Sequence, residues 1–572
     1  MPPSSRKRTV QAVLLSSSFV KGSSASADDV LPTKAVSLSS SSIPSHKTNG
    51  TELFQAWRAH DSLQFHAFTD PSEIQRIQHQ LLTWYHAHRR KLPWRGDPPP
   101  WNGSTSNFGN CGNKKQKQTS LKSFFKNPDD MTGNDDTSLP TFPVTPYGVW
   151  VSEIMLQQTR VEAVIPYWVK WMQSFSTVQA LATATPEQVN AHWAGLGFYR
   201  RARMLHAGAQ HVVTHYTTKD GTVQWPTTVA AWQQLPGVGR YTASAICSIC
   251  FQVAVPVVDG NVCRVFSRLR GVAQHVKAPV FKDQYAWTLL QPLVEHTDEP
   301  GNINQALMEL GATYCAPAGT GLEEGDPLKE FYYSTRLVEP AIVSNDLSPI
   351  LVSSTMAPTT AASCPLCAED GVEQVIQQWR ECAIIPNLRV YGHQYLPMAP
   401  PQSAKRVQVW QVAALSHSAG KEKRWLLVQR PPTGLLAGQW EFPCICLWDS
   451  ADTKVDKKFK TLKKAVDPEP PTIPLTKKRA AWKKLLIELS VGTVSSVQTV
   501  GVSSLEHVFS HVKHILWLQT GQVDDAMDEA ASTPDGRAMQ WMTAGDMQQV
   551  GITSGVKKIL QALKQHVEDR ST

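Results

Sequence analysis

The apolar residues change their spacing once along the chain, and this change limits the folds open to it. From about residue 71 to 383 they recur at a helical period, as in PYGVWVSEIMLQQTRVEAVI, where Pro166 follows and should end the helix. Beyond a Pro-rich stretch, RVQVWQVAAL, RWLLVQRP and HVKHILWLQ have the pattern of strands, and SGVKKILQALKQH that of a closing helix. We therefore predict a multidomain protein, with an all-α domain followed by an α+β domain.

Composition sets the expected boundaries between these parts. The first 50 residues are Ser-rich with few aromatic side chains, which is typical of a disordered tail. Within them Ser5–Arg8 (SRKR) is either a nuclear or mitochondrial address or part of a tail without a targeting message. We predict a disordered tail over 1–70, a helical domain over 71–385 with mobile polar insertions at about 96–145 and 316–363, a linker over 386–404 and a second domain over 405–568.

Bulk composition excludes several classes of protein. A hydrophobic content of 41% is enough for real cores, and a net charge of +8 is compatible with a polyanionic partner. Ten cysteines in 572 residues do not make a secreted disulfide scaffold, so a reducing intracellular compartment is expected. The chain has no run of 18 apolar residues, and we expect no membrane partner.

The stretch LPGVGRYTA (235–243) places two glycines at the start of a helix. Glycine lets the backbone approach a ligand closely, and the N–H groups of Gly237, Val238 and Gly239 can then point at an anion held by the helix dipole. After Leu235 this predicts a helix–hairpin–helix grip on one DNA phosphate. A plain turn between two helices is the alternative.

Two carboxylates are candidates for chemistry. Asp259 follows an apolar run in VPVVDGNVCRV and stands at the mouth of a helix, where the dipole and backbone N–H groups should hold it ionised. Glu153 lies on an apolar helix face, where partial burial should raise its pKa and keep a proton available. Such a pair can cleave a glycosidic bond, one carboxyl as acid and the other as anion. The alternatives are a helix N-cap at Asp259 and a solvated glutamate at Glu153.

Six ordered motifs together resemble the MutY-type adenine DNA glycosylases of the endonuclease III, or helix–hairpin–helix, superfamily. The resemblance covers most of the helical domain, and six motifs in order are far more specific than any one of them. They are Leu92–Arg95, Pro146–Val161, Gly195–Arg203, Leu235–Ala243, Val257–Val265 and Asn304–Cys315.

The resemblance implies an enzyme that hydrolyses the N-glycosidic bond of adenine opposite 8-oxoguanine, and also in A:G pairs. It assigns proton donation to Glu153, stabilisation of the sugar cation to Asp259, orientation of the site to Asn261 and support of the intermediate to Tyr241. Strand-cleaving relatives carry a lysine where this chain has Tyr241, so base removal without strand cleavage is implied. A bifunctional glycosylase with lyase activity is the alternative, and a non-catalytic lesion-binding scaffold is a second.

Further DNA contacts are implied for residues outside the reacting centre. The target base must leave the duplex before it can react, and Gln158 matches the residue that wedges into the helix. Phe198 stands where the family more often has tyrosine, so that a ring can still stack but a hydroxyl contact is lost. The residues that match the lining of the adenine pocket are Trp94, Arg95 and Gln305.

Cysteines near the end of the helical domain suggest a metal centre. The related enzymes bind a [4Fe–4S] cluster with spacing C-x6-C-x2-C-x5-C, which implies an iron–sulfur subdomain here. In this chain the intervals between the candidate cysteines are 48, 2 and 14 residues. Loop insertions can lengthen a chelate without moving its ligands, so we expect the cluster; a zinc site and no metal at all are the alternatives. The candidate ligands are Cys315, Cys364, Cys367 and Cys382.

The second domain resembles the Nudix-like domain of the same enzymes in RPPTGLLAGQWEFP (430–443) and HVFSHVKH (507–514). Residues 444–500 lack the glutamate box of working Nudix hydrolases and are rich in lysine instead, so we expect the fold without pyrophosphatase chemistry. The resemblance assigns inspection of 8-oxoguanine to this domain, with Ser510 as the discriminating contact between Phe509 and His511.

A partner motif lies in the first insertion. KKQKQTSLKSFFKN contains a Q-x-x-L-x-x-F-F pattern, and paired aromatics in a polar loop need a partner surface to cover them. The pattern resembles the motif that binds the PCNA sliding clamp, which implies a eukaryotic enzyme of the nucleus, with the mitochondrion as a further compartment. We expect the protein to act as a monomer on double-stranded DNA. The motif residues are Gln118, Leu121, Phe124 and Phe125.

Overall fold

The structure is a computed structural model that leaves several segments undescribed. It describes residues 48–101, 141–345, 364–381, 387–401, 404–419, 422–431, 434, 436–452, 467–491, 493–500, 505–509, 511–524 and 531–571.

Helices account for the first part of the described chain. Three short turns of other helical types, Leu63–His66, Pro93–Arg95 and Val280–Tyr285, lie between them. The α-helices are α1 (Gly50–Ala59), α2 (Pro71–His88), α3 (Pro146–Leu156), α4 (Val161–Ser174), α5 (Val178–Thr183), α6 (Pro186–Trp193), α7 (Arg200–Tyr216), α8 (Val229–Trp232), α9 (Arg240–Phe251), α10 (Gly260–Arg270), α11 (Ala286–Val294), α12 (Pro300–Ala312), α13 (Tyr333–Arg336), α14 (Glu339–Ser344), α15 (Gly371–Glu381) and α16 (Leu388–Gln394).

Helix α3 is the centre of the first core. It is apolar all round, its residues 147–155 are buried, and it packs against α4, α7 and α9. Thr145 caps its start by accepting a hydrogen bond from the Gly148 amide at 3.0 Å, and Pro146 occupies the first helical position. Large aromatic side chains fill the space around it; those fully buried are Trp150, Trp168, Trp171, Trp193 and Trp232.

The prediction of a single helix over 146–165 is wrong, because the structure has two helices in this range. Helix α3 ends at Leu156, and α4 begins at Val161 and runs through Pro166, which therefore does not end a helix. At the break, Gln158 adopts a left-handed backbone with φ of 58°. The cause is a distant side chain: the Arg201 guanidinium donates to the free carbonyls at the end of α3.

The disordered tail predicted over 1–70 is wrong for residues 48–70. Helix α1 has Asn49 as its N-cap and buries Leu53 and Trp57. Trp57 stacks on Trp379 of α15 with ring centroids 5.5 Å apart, and its indole N–H donates to the Gly271 carbonyl at 2.6 Å. These partners lie hundreds of residues away in sequence, so the local composition did not reveal them. Residues 1–47 lie outside the described chain.

The insertion predicted at 316–363 and the linker at 386–404 are also more ordered than expected where the structure describes them. Helices α13 and α14 lie in the first of these, with Tyr332 and Tyr333 fully buried, and residues 346–363 are not described. Helix α16 lies in the predicted linker, and its Leu388 and His393 are fully buried. Residues 102–140 of the insertion at 96–145 lie outside the described chain.

The second part is a mixed sheet between two helices. Its strands are β1 (Arg406–Ala419), β2 (Glu422–Gln429), β3 (Trp440–Glu441), β4 (Cys444–Asp449), β5 (Val494–Thr499), β6 (Leu505–Val508), β7 (Val512–Val523), β8 (Ala531–Ser532) and β9 (Ala538–Met542), and its helices are α17 (Leu475–Leu489), α18 (Asp546–Gln549) and α19 (Ser554–Ser571).

The strand order is β5-β7-β1-β2-β9-β8, with β3 paired to β2, β4 to β1 and β6 to β7. Strands β1 and β7 run parallel with Arg406 opposite Val512, and the other pairs are antiparallel. Alternate residues of β1 face opposite sides of the sheet, as the pleat requires: Val412 contributes to the core beneath α19, and Ala413 to the core beneath α17. The predicted helical part followed by an α+β part is confirmed. Across the described chain, no helix is both long and apolar enough to span a bilayer.

Candidate active site

The two predicted carboxylates open into the same cavity. It encloses about 1150 Å³ between α3, α9, α10 and α12. The structure thus brings together a helix-borne glutamate and a helix-capping aspartate that are more than 100 residues apart in sequence. The predicted site residues that line this cavity are Trp94, Arg95, Glu153, Gln158, Gly239, Tyr241, Asp259, Asn261 and Gln305.

Glu153 is held in a buried position with one strong partner. Its side chain is on α3, the residue is only 7% exposed, and Oε2 accepts a hydrogen bond from the Tyr241 hydroxyl at 2.9 Å. Burial is the largest influence on Glu153 and raises its pKa, to about 7 overall. The Asp259 carboxylate adds to this rise in pKa, whereas the Tyr241 hydrogen bond and the Arg95 guanidinium partly offset it. A carboxyl with this pKa can carry a proton near neutrality and give it up to a bound base.

Asp259 caps helix α10. Its Oδ1 accepts from the Val262 amide at 2.7 Å, and its Oδ2 accepts from the Asn261 amide group at 2.9 Å. Burial nevertheless raises the pKa of Asp259 above its ordinary value, with the Val262 and Asn261 donors pulling it down. The predicted helix-end hydrogen bonds are present, but they do not outweigh burial. They orient the carboxyl group, because each of its oxygens accepts one hydrogen bond.

An arginine that the sequence analysis did not single out positions Asn261. The Arg264 guanidinium donates to the Asn261 Oδ1 at 2.8 Å and to the Gly311 carbonyl at 2.6 Å. Because Asn261 then turns its amide N–H₂ toward Asp259, the chain Arg264–Asn261–Asp259 fixes the carboxylate from behind. The spacing of Asn261 and Arg264, three residues apart on one helix, was the available indication.

A buried ion network supports one wall of the cavity. Arg95 donates to Gln305 Oε1 and to Glu309 Oε2, both at 3.1 Å, and Arg90 donates to Glu309 Oε1 at 2.6 Å. Burial opposes the charge of Glu309, but Arg95 and Arg90 outweigh it and lower its pKa to about 2. Trp94 packs edge-on against Trp168, with ring centroids 5.9 Å apart. Arg90 and Glu309 were not predicted, although Glu309 lies within a quoted motif.

The LPGVG turn offers only part of its backbone to an anion. The prediction is wrong for the Val238 N–H, which donates to the Leu235 carbonyl at 3.1 Å and closes the turn. Gly237 has φ of +78°, and a side chain there would place its Cβ 2.5 Å from the Met204 Cβ. Gly239 is the N-cap of α9 and provides no side-chain cap, so the first amides of α9 stay available. Leu235 and Val238 are buried and anchor the turn in the core.

Two exposed residues that were predicted to contact DNA lie on turns with left-handed backbone. Gln158 lines the cavity rim with φ of 58°, and Phe198, 54% exposed, has φ of 49° and does not line the cavity. Arg201 joins the two turns: it donates to Met155 O at 2.9 Å and to Gly197 O at 3.2 Å, and its guanidinium lies 5.4 Å from the Phe198 ring. Arg201 lies within the motif Gly195–Arg203, but its positioning role was not predicted.

Two of the three predicted 8-oxoguanine contacts, Phe509 and His511, are described, and neither lines this cavity. The Phe509 ring packs against His507 and His514, with centroids 4.4 and 5.0 Å away, and His511 is exposed. Ser510 lies outside the described residues, as do the clamp-motif residues Gln118, Leu121, Phe124 and Phe125. Their predicted roles stay predictions.

Three of the four predicted cluster ligands are described, and Cys315 is not part of the group that Cys364 and Cys367 form. Cys315 Sγ lies 3.3 Å from the Arg268 guanidinium and 3.9 Å from His393 Nε2. Cys364 and Cys367 instead group with two histidines, His60 and His66, with the four ligand atoms all within 4.8 Å of one another. Cys382 lies outside the described residues. The described residues therefore do not confirm the expected [4Fe–4S] cluster. Cys364 and Cys367 form a mixed Cys/His group that was not predicted from the sequence.

Comparisons with known proteins agree with the two-part architecture. Residues 151–287 match the HhH-GPD superfamily of base excision DNA repair proteins, and residues 413–562 match the NUDIX domain. The chain is 31% identical over 502 residues to the adenine DNA glycosylase of Homo sapiens, covering 87% of this chain and 76% of that protein. It is 29% identical over 515 residues to the adenine DNA glycosylase of Schizosaccharomyces pombe, covering 88% of this chain and 92% of that protein. Among solved structures, a thermostable thymine-DNA glycosylase is 20% identical, with 47% of this chain and all of that chain covered and a TM-score of 0.32.

Proposed function

This chain belongs to the adenine DNA glycosylase family, and from that membership we propose that it removes adenine paired with 8-oxoguanine, and with guanine, in duplex DNA. The observation that carries the proposal is the convergence of Glu153 and Asp259 on one cavity beside the phosphate-gripping hairpin. The cavity of about 1150 Å³ has room for an extruded nucleotide.

In the proposed reaction Glu153 is the acid. It transfers its proton to a ring nitrogen of the extruded adenine, so that the base leaves neutral when the bond to the sugar breaks. The Tyr241 hydroxyl, 2.9 Å away, stabilises the carboxylate that Glu153 becomes. A pKa of about 7 suits this exchange, because both protonation states are then accessible near neutral pH.

Asp259 is the anion that stabilises the sugar. Loss of the base leaves an oxocarbenium-like sugar, and a carboxylate held by the Val262 amide and the Asn261 side chain opposes that charge. Water then completes hydrolysis at the sugar carbon, and the DNA strand stays intact. Tyr241 is the residue that argues against lyase chemistry, since a phenol cannot form the Schiff base that a lysine amine forms.

The DNA-binding parts of the proposal follow from the family resemblance, and the lining of the cavity by Gln158, Gly239, Arg95 and Gln305 supports them. The amides of Gly237 and Gly239 would hold one phosphate, and Gln158 would wedge into the base stack. Phe198 would stack beside it, presenting an exposed ring that the Arg201 guanidinium holds in place. Arg95 and Gln305 would contact the extruded base.

Recognition of 8-oxoguanine is proposed for the second part, through Ser510 with Phe509 and His511 beside it. We also propose recruitment by a PCNA-type clamp through the motif at 118–125, and the spacing of that motif supports this proposal. We propose the nucleus and the mitochondrion as compartments, which the basic start of the chain supports. The [4Fe–4S] cluster stays a prediction from the resemblance, and no step of the proposed reaction uses it.

Base release under single-turnover conditions tests the proposal. Duplexes with A:8-oxoG, A:G, A:C and A:T pairs are compared, with and without alkali to reveal strand cleavage. We expect fast release from A:8-oxoG, slower release from A:G, none from A:T, and strand breaks only after alkali. Glu153→Gln should slow release by about 10²–10⁴-fold, because it removes the transferable proton.

Glu162→Gln is the matched control, since Glu162 is an exposed carboxylate of the neighbouring helix α4. It should release adenine at the wild-type rate. Full activity in the Glu153 variant would show that Glu153 is not the acid of the reaction. Strand breaks without alkali would favour a lyase.

A further inference from the structure

We propose that Arg203 is a positioning residue that connects the second part of the molecule to the turn around Phe198, and that it sets the preference for adenine opposite 8-oxoguanine over adenine opposite guanine. Arg203 belongs to the helical part, and its guanidinium Nη1 donates a hydrogen bond to the Ala437 carbonyl of the second part at 2.9 Å. The inference rests on the proposed function, which assigns no residue to the contact between the two parts.

Two neighbouring contacts form this junction between Arg203 and Tyr199 on one side and Ala437 and Gly551 on the other. Ala437 is buried, and its carbonyl accepts from the charged guanidinium. Beside it the Tyr199 ring packs on Gly551, where a side chain would place its Cβ 3.3 Å from Tyr199 Cε1. The junction therefore combines close packing with a hydrogen bond from a charged donor, which is stronger than one between neutral groups.

The segments of the second part that form the junction are held by backbone hydrogen bonds. Ala437 lies between β2 and β3, where the Arg430 amide donates to the Gln439 carbonyl at 2.8 Å. The Trp440 amide donates to the Gly551 carbonyl at 2.8 Å, so the two segments that touch the helical part are joined to each other. Because β3 pairs with β2, a force on the junction acts on the sheet as well as on the connecting loop.

The same segments border a residue that was predicted to contact 8-oxoguanine. Leu436, next to Ala437, lines a small cavity of about 50 Å³ that Phe509 and Thr553 also line. The Thr553 amide donates to the Trp440 carbonyl at 3.0 Å, which ties this wall of the cavity to β3. Since packed side chains and backbone hydrogen bonds transmit small displacements, a shift of the Phe509 ring should reach the segment that Arg203 holds.

On the helical side, α7 connects the junction with the active site. Arg203 lies in the first turn of α7, and Phe198 lies two residues before that helix begins. Arg201, in the same turn, donates to the Met155 carbonyl near the end of α3 at 2.9 Å, and α3 also carries Glu153. The second part thus contacts the helix that holds both the exposed Phe198 ring and the end of the catalytic helix.

These contacts have different consequences for the two substrates. When the second part engages 8-oxoguanine, the junction holds the start of α7 and the Phe198 ring against the duplex. A guanine that the second part does not engage gives α7 no such support. A junction that only held the fold together would affect both substrates alike, whereas a coupling residue affects the substrate that the second part recognises.

Single-turnover adenine release by the full-length chain from A:8-oxoG and A:G duplexes tests the inference. Arg203→Ala should lower the rate on A:8-oxoG about tenfold, because it removes a charged hydrogen bond, and should leave the rate on A:G within about twofold of the wild type. Arg203→Lys keeps a cationic donor and should restore most of the preference. The matched control is Arg200→Ala, an exposed arginine of the same turn, which should keep the wild-type ratio of the two rates.

Gly551→Val disturbs the junction from the other side and removes no group of the helical part. The new Cβ and its methyl groups would crowd the Tyr199 ring, so the ratio of the two rates should fall here as well. Gly545→Val is the control, since its Cβ would make an ordinary contact 3.5 Å from Thr543 Oγ1. In the double variant with Arg203→Ala the ratio should fall no further than in the Arg203 variant alone, because both changes break one junction.

Single-turnover rate constants do not depend on the fraction of active enzyme, so a partly folded variant still gives a valid ratio. A wild-type ratio in Arg203→Ala would overturn the inference. So would an equal fall of both rates, which would show that the junction only stabilises the fold. A wild-type chain that releases adenine from neither duplex would instead overturn the proposed function, and the role of Arg203 with it.

Discussion

Glu153 and Asp259 share one cavity but have different partners. Glu153 is surrounded by the apolar face of α3 and has a phenol as its hydrogen-bond donor, whereas Asp259 has a backbone amide and a side-chain amide. Burial raises the pKa of both carboxyls, to about 7 at Glu153. A buried acid is costly to ionise, so the residue that the reaction needs should weaken the fold once it loses its proton.

Glu153→Gln should therefore make the protein more stable at alkaline pH while removing activity. The pKa of Glu153 rises from the ordinary 4.5 to about 7 on folding, so the native state binds more protons and wild-type stability falls between those values as pH rises. A shift of this size corresponds to about 3 kcal/mol, which is an upper limit. Urea unfolding should show the two proteins diverging by about 1–3 kcal/mol between about pH 4.5 and pH 8. Glu162→Gln should show no such divergence, and a gap that is the same at every pH would contradict the prediction.

At the scale of elements, the hairpin before α9 depends on one glycine. Gly237→Ala should weaken DNA binding, because a left-handed backbone and a Cβ 2.5 Å from Met204 Cβ force the turn and its amides to move. We expect a Kd about tenfold higher and a loss of about 1–3 kcal/mol of stability. Gly545→Ala, in the second part of the chain, is the control, since Gly545 has φ of −68° and a Cβ there would make only an ordinary contact, 3.5 Å from Thr543 Oγ1. Fluorescence anisotropy with an A:8-oxoG duplex, in the Glu153→Gln background, measures the Kd of each glycine variant. Equal affinities of the two variants would refute the role of the hairpin.

The elements also show what the sequence could reveal. The motifs around Glu153 and Asp259 are each contiguous, so a helix period, a capping position and a family resemblance located both. The break at Gln158 was missed because Arg201, which binds the carbonyls of Ile154, Met155 and Gln157 beside the break, lies 44 residues or more from them. His60 and His66 were missed for the same reason: their sulfur partner Cys367 is more than 300 residues away, and short polar segments around it resemble loops. The structure at such positions depends on tertiary contacts, and no local sequence pattern contains information about those contacts.

At the scale of the whole molecule, one helix connects the Cys/His group with the active site. Asp259 caps the start of α10, and at its other end the Arg270 carbonyl accepts from His66 and the Gly271 carbonyl from Trp57. The segment before α2 is thereby attached to the helix that positions Asp259, the proposed anion of the reaction.

We expect the second part of the molecule to bind nucleotides without hydrolysing them. Helix α17 carries lysines where a Nudix hydrolase needs glutamates, and Glu488 is its one acidic residue. In the cavity beside it each carboxylate faces a cation: Glu441 pairs with Arg430, Asp535 with Arg537 and Glu488 with Lys484. Divalent ions need free carboxylate oxygens, so these ion pairs among the described residues disfavour a divalent-ion site in this cavity.

We therefore expect the full-length chain to release no product from 8-oxo-dGTP or ADP-ribose in the presence of Mg²⁺ or Mn²⁺, while it excises adenine in the same buffer. Chromatography of the nucleotides measures the first activity, with a working Nudix hydrolase as the positive control. Release that requires the divalent ion and disappears in Glu488→Gln would contradict the assignment. Because adenine excision draws on Glu153 and Asp259 in the helical part, that variant should leave it unchanged, so the two activities are separable in one preparation.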